Sequence, residues 1–273
     1  VDLIEAVVLG VVQGLTEFLP ISSSGHLRIA PALLGWDDPG AAFTAVVQIG
    51  TMAAVLSYFW ADLWRIALAW VRSLGHRPSP DELDAQLGWY LIVATIPISV
   101  FGLAFSNQIE TGARDLRVVA SALIVFGILL EVADRRGTET KSLAELSHRD
   151  GVAIGLAQTL ALIPGVSRSG ATLTAGFLAG YKRSDAARFS FLLSIPAVVL
   201  SGLFKLRDVT TGEGAGIGAT IAATVMAFVV GYASIAWLLR WLTSHSTAIF
   251  VVYRLALGAL LWLLMALGTL QPR

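Results

Sequence analysis

The chain has 273 residues, 56% of them hydrophobic and only 14% charged, with mean hydropathy +0.74. A soluble domain carries roughly 25% charged residues, so there is too little polar surface for water and the bilayer is the expected solvent. The formal net charge of +0 removes any bulk attraction to nucleic acid, and the absence of cysteine excludes disulfides, thiolate nucleophiles and cysteine zinc sites.

The first apolar stretch, 3–19, has no basic segment before it and carries Asp2 and Glu5, so it is expected to be mature protein and not a cleaved signal. Pro20, a run of serines and Gly25 follow at once, then a second short apolar piece at 27–35. Proline cannot continue a helix cleanly, and irregular backbone at membrane depth survives only where protein or water satisfies it. The pattern predicts a re-entrant helix-loop-helix hairpin. Stretches 43–61, 87–106 and 116–134 come next, each about the 20 apolar residues that a spanning helix needs. The polar stretches 73–86 and 135–149 read as solvated loops, and their acids Asp81, Glu82, Asp84, Glu139 and Glu145 are given no chemistry. A second broken element at 150–163 and 171–181, interrupted at Pro164, predicts a second hairpin. Three more spans are expected at 186–206, 216–238 and 247–269. Most tryptophans, among them Trp60, Trp64, Trp237 and Trp241, sit near span ends as an aromatic belt.

The two broken elements are copies of one another. Residues 7–42 and 152–187 align without a gap, and both hold Gly-x2-Gln-x8-Ser-x-Ser-Gly: Gly10, Gln13, Ser22, Ser24 and Gly25 against Gly155, Gln158, Ser167, Ser169 and Gly170. Val7/Val152, Leu15/Leu160, Ala30/Ala175, Leu33/Leu178 and Gly35/Gly180 also match. Each copy combines one hairpin with three spans. Three is odd, so the second copy enters from the opposite face and the two loops can meet near the midplane. The expected fold is an all-α polytopic membrane protein with an inverted-topology repeat: six transmembrane helices plus two re-entrant hairpins. It forms one membrane domain over 1–273, with repeats at about 1–134 and about 150–273. Basic residues such as Arg65, Arg72, Arg135, Arg136 and Arg188 outnumber, on the side away from the N-terminus, those on the N-terminal side (Arg114, Arg117, Lys205, Arg207, Arg273). By the positive-inside rule the N-terminal side is non-cytoplasmic.

The copies differ where chemistry would reside. Copy one has Glu17, Ser23 and His26; copy two has Leu162, Arg168 and Ala171 at the equivalent places. A carboxylate inside a membrane is expensive and points to function, and Gln13 lies one turn earlier on the same face. Ser22, Ser23 and Ser24 precede a new helix. At least one of them is expected to cap it, and with exposed backbone N–H groups the three hydroxyls also make an anion cradle. His26 adds an imidazole next to these hydroxyls. In copy two, Arg168 keeps its charge and needs an anion. A carboxylate such as Glu17 would satisfy it. Ser167, Ser169, Thr172 and the flexible Gly165 around it favour a phosphate, held bidentately. A phosphorylated group presented at membrane depth is therefore the expected ligand.

The segments Gln13-Gly-Leu-Thr-Glu-Phe-Leu-Pro-Ile-Ser-Ser-Ser-Gly-His26 and Pro164-Gly-Val-Ser-Arg-Ser-Gly-Ala-Thr172 resemble the twin signatures of bacterial undecaprenyl-diphosphate phosphatases of the bacitracin-resistance type. The first is similar to that family's (Glu/Gln)-x3-Glu motif with its serine loop and histidine; the second matches Pro-Gly-x-Ser-Arg-Ser-x2-Thr. The resemblance implies an enzyme of the bacterial plasma membrane that removes one phosphate from a C55 isoprenoid diphosphate. It also implies a divalent cation (Mg²⁺ or Ca²⁺) and a site opening toward the periplasm, with undecaprenyl phosphate returning to cell-wall precursor transport.

The expected mechanism puts Arg168 on the terminal phosphate. Ser167, Ser169 and Thr172 hold phosphate oxygens. Ser23 attacks, activated by Glu17 or His26, or these two activate water directly while Ser23 binds phosphate. Glu17 is the one convincing protein ligand for the cation. A secondary transporter or flippase for an anionic or lipid-phosphate substrate is the rival, because inverted repeats with broken helices are usual there. The small-residue runs around Ala219–Ala223 and Gly258–Ala259 suit helix packing, within one chain or in a homodimer.

Overall fold

The computed structural model describes residues 1–75, 82–106, 108, 115–205 and 216–272, without the side chains of 41–42 and 201–205. The described residues are helical, with one isolated bridge between Lys141 and Tyr181. Helix α1 (Leu3–Phe18) starts from a capping box, in which the Asp2 carboxylate accepts from the Glu5 N–H at 2.8 Å and the Glu5 carboxylate accepts from the Asp2 N–H at 3.0 Å. It stops where Leu19 turns extended ahead of Pro20. Helix α2 (Ser23–Leu34) runs back from a Ser22 cap and ends on Gly35 in the left-handed region. Then come α3 (Gly40–Tyr58), α4 (Trp60–Ser73), α5 (Glu82–Ala104) and α6 (Leu116–Arg136). The second half repeats the plan. Helix α7 (His148–Gln158) continues as a 3-10 turn over Thr159–Leu162, and α8 (Arg168–Leu178) starts from a Ser167 cap. Helices α9 (Arg183–Lys205), α10 (Ile217–Trp241) and α11 (Ala248–Ala266) complete it.

Among the described residues four helices are long and apolar enough to cross a membrane, namely α5, α6, α10 and α11. The pair α3 and α4, bent by 72°, makes a fifth candidate. Residues 186–205 of the expected span 186–206 are helical within α9, whose first turns carry Arg183, Asp185 and Arg188; residue 206 lies outside the described residues. The polar stretch 73–86 is not simply a solvated loop. Helix α5 starts at Glu82 inside it, and Asp84 is buried against α4, where its carboxylate accepts from Arg65 Nε at 2.5 Å. The burial of this acid follows from the close packing of α4 on α5. Asp81 lies outside the described residues. Glu139 pairs with Arg183 at 2.7 Å, and Glu145 accepts from Ser142 at the 3-10 turn Leu143–Glu145.

The halves exchange their hairpins. Helix α1 packs on α10 of the second half, and α7 packs on α5 of the first. Both contacts depend on a motif glycine: a Cβ at Gly10 would run into the backbone of Ala223, and one at Gly155 would lie 2.6 Å from the Ala94 Cα. Helices α3 and α9 flank the same pair, α3 on α10 and α9 on α5, while α6 and α11 lie against each other between the halves. The main core gathers Phe18, Phe59 and Phe191 beneath the first hairpin, with the Phe18 and Phe191 rings edge-on at 5.7 Å.

Candidate active site

The exchange brings the two hairpin tips together. Glu17 sits on the last turn of α1, its side chain 8% exposed, and Arg168 is the first residue of α8, its side chain 13% exposed. Arg168 Nη2 donates to Glu17 Oε1 at 2.8 Å across a sequence separation of 151. The second guanidinium nitrogen, Nη1, donates to the carbonyl of Ser194 on α9 at 3.0 Å. Ser23 Oγ donates to Glu17 Oε2 at 2.6 Å, and Gln13 Nε2 donates to the same oxygen at 3.1 Å. One carboxylate is thus shared by a guanidinium, a hydroxyl and an amide. An isolated charge at this burial would be costly, and the pair with its hydrogen bonds offsets that cost.

The backbone at both tips is strained in the same way. Ser22 and Ser167, equivalent in the repeat, have φ of 79° and 73°, and Gly165 has φ 92°. Non-glycine residues in such conformations cost on the order of 1–3 kcal/mol each and cluster at functional sites. Each serine caps its helix, accepting from Gly25 N–H at 3.4 Å and from Gly170 N–H at 3.2 Å. Gly165 is held against α6, where a Cβ would lie 2.6 Å from the Val119 carbonyl oxygen. Ser169 Oγ donates to the Leu19 carbonyl at 3.1 Å, joining tip to tip, and lies 3.1 Å from Ser167 Oγ. Ser24 is exposed beside Ser22, with 3.4 Å between their hydroxyls.

A profile of the family described as bacitracin resistance protein BacA matches residues 6–260. The chain belongs to the BacA family. It is 56% identical to an undecaprenyl-diphosphatase of Thermobifida fusca over 99% of this chain and 93% of that protein. It is 55% identical to an undecaprenyl-diphosphatase of a Nocardioides species over 99% of each. A Myxococcus xanthus undecaprenyl-diphosphatase shares 50% identity over 99% of this chain and 92% of its own length. Like the family, the chain is a multi-pass membrane protein by its apolar helices.

Two of the expected site residues hydrogen-bond to groups other than Glu17, Ser23 and the Arg168 side chain. His26 lies on α2 with Nδ1 at 2.7 Å from the Ser22 carbonyl and Nε2 at 2.6 Å from the Tyr253 hydroxyl, the two rings stacked at 5.5 Å. A carbonyl only accepts, so in the neutral ring Nδ1 carries the proton and Nε2 accepts from Tyr253. His26 therefore meets α11, not Glu17 or Ser23. Thr172 Oγ1 turns to the Arg168 carbonyl at 2.9 Å and to Ser190 Oγ at 2.6 Å, supporting the start of α8 from behind.

Gln13 Oε1 is buried without a partner among the described residues. No group of three or more His, Asp or Glu side chains is placed to hold a metal ion among those residues. A hard divalent cation takes few protein carboxylates when substrate phosphate supplies oxygens, so Gln13 Oε1 beside Glu17 fits such an ion. Gln158, the repeat counterpart, is fully buried with neither amide atom partnered among the described residues, and Leu162 stands one turn on in place of the acid.

Sequence reasoning missed three residues here. Tyr253 and Arg254 lie inside the apolar stretch 247–269, whose length and hydropathy mark a span. Arg254 is fully buried and donates to carbonyls of both tips. An arginine within a spanning segment was the available signal. Ser194 contributes a backbone carbonyl, which no sequence pattern marks.

Proposed function

We propose that the chain hydrolyses undecaprenyl diphosphate to undecaprenyl phosphate and inorganic phosphate in the bacterial plasma membrane, returning the lipid carrier to cell-wall synthesis. The observation that carries this reading is the Glu17–Arg168 pair at 2.8 Å between the two hairpin tips. A guanidinium held by a carboxylate that also accepts from a serine hydroxyl is arranged for phosphoryl transfer. The substrate phosphate takes the place of the carboxylate on Arg168. The terminal phosphate lies on Arg168, with Ser167 and Ser169 nearby, and the isoprenoid stays in lipid.

Ser23 Oγ then attacks the terminal phosphorus, and its proton passes to Glu17 Oε2, already 2.6 Å away. The Oγ–P bond forms as the bond to the bridging oxygen breaks, and undecaprenyl phosphate leaves. Water next cleaves the phosphoserine, with Glu17 handling the proton. In the direct route, Glu17 activates water and Ser23 only binds phosphate; trapping a phosphoserine separates the two. Gln13 and Glu17 would hold a divalent cation, Mg²⁺ or Ca²⁺, which neutralises diphosphate charge when bound.

The finer architecture belongs to the same reading. Both hairpins are re-entrant, the repeats are oppositely oriented, α3 and α9 complete six spans, and the site opens toward the periplasmic face. The reciprocal packing of α1 on α10 and α7 on α5 supports this arrangement.

The test is inorganic phosphate release from C15 or C55 isoprenyl diphosphate in detergent. Release is expected, lost in EDTA and restored by Mg²⁺ or Ca²⁺. Lipid-phosphate flux across proteoliposomes without any release would replace the phosphatase by a transporter.

A further inference from the structure

Arg254 is the one arginine of the described residues with no solvent exposure at all, and none of its hydrogen-bond partners is a carboxylate. Among the described residues its guanidinium donates only to backbone carbonyls, on three separate elements. Nη1 reaches Pro20 in the first tip at 3.1 Å. Nη2 reaches Gly165 and Val166 in the second tip at 3.1 and 3.0 Å, and Ala122 on α6 at 3.3 Å. Nε reaches Leu123 on α6 at 3.2 Å. Two glycines make room for it: a Cβ at Gly170 would lie 2.8 Å from Nη1, and one at Gly127 would lie 3.4 Å from the Arg254 Cβ.

Burying a cation against neutral dipoles is expensive, and an arginine kept there must hold something that matters. What it holds is the backbone that carries the reacting groups. Pro20 is three residues from Glu17; Val166 is two residues from Arg168. A trans peptide sets its N–H opposite its C=O, so anchoring the Val166 carbonyl also fixes the direction of the Ser167 N–H, at the residue with φ 73° that launches Arg168. The strained turn at Gly165–Ser167 is thereby held in shape from its inner side.

We propose that Arg254 is a positioning residue of the phosphatase, a clamp that locks the two hairpin tips in the register where Glu17, Ser23 and Arg168 meet. The proposal rests on the phosphatase reading above. It acts through those residues and does not touch the substrate. Lysine cannot replace it, because one ammonium with three donors cannot span carbonyls on three elements.

The test measures kcat and KM for C15 isoprenyl diphosphate, together with thermal melting in detergent, for wild type, Arg254→Lys, Arg254→Ala and Gly170→Ala. Wild-type phosphate release comes first, and its absence would count against the phosphatase reading and not against the clamp. With wild type active, Arg254→Lys and Arg254→Ala are expected to lose about a hundredfold in kcat at a temperature well below melting, the cost of a small misplacement. KM should change less than about threefold. Guanidinium chloride at millimolar concentration should restore part of the Arg254→Ala rate, and methylammonium should not. Should Arg254→Ala fail to fold, Gly170→Ala decides, since its Cβ displaces Nη1 and leaves the charge in place; a fall in kcat supports the clamp. Wild-type kcat in folded Arg254→Lys, or in Gly170→Ala, overturns it.

Discussion

At the scale of single residues, the site turns on which groups share Glu17. Its two oxygens accept from Arg168, Ser23 and Gln13, and in the proposed function the carboxylate stands where a phosphate would lie on Arg168 and serves Ser23 as base. The fork geometry of the guanidinium sets a sharp expectation. One nitrogen is fixed by the Ser194 carbonyl and the other points at Glu17, an arrangement that an ammonium cannot reproduce. Arg168→Lys should fold and melt near wild type, yet release phosphate at less than about a hundredth of the wild-type rate. A rate within about threefold of wild type would remove Arg168 as the phosphate clamp.

At the scale of elements, the exchanged hairpins depend on close backbone approach. Gly155 lets α7 lie on Ala94 of α5, and Gly10 does the same for α1 on Ala223 of α10. Gly155→Val forces side-chain atoms into that contact and should cost about 1–3 kcal/mol by overpacking, read as a lowered melting temperature in detergent; an unchanged melt would show that the helices do not need this approach. Much of this level was legible. The repeated Gly-x2-Gln and Ser-x-Ser-Gly spacing marked both hairpins, and Pro20 and Pro164 marked their breaks. The Asp84 burial was not legible, because a polar stretch between two apolar ones looks the same whether or not an arginine on the preceding helix folds back onto it. His26 stood beside the serine run in sequence, yet one turn of helix carries it round to Tyr253, a partner 227 residues away.

At the scale of the whole molecule, neither half is complete. The acid, the hydroxyl and the amide come from the first, the guanidinium from the second, and Arg254 near the end of the chain ties the tips through carbonyls that no sequence motif can record. The differences between the copies, an acid opposite a leucine and a serine opposite an arginine, put complementary groups in the two loops. The Glu17–Arg168 contact across a separation of 151 residues brings the complementary groups together. The claim that both halves act on one diphosphate is tested most directly by a double-mutant cycle on kcat/KM for isoprenyl diphosphate hydrolysis with Glu17→Gln and Arg168→Lys. Groups that act as a unit are non-additive, so the double variant should be no slower than the slower single variant within about threefold. Losses that multiply in full would mean that the two residues serve separate sites.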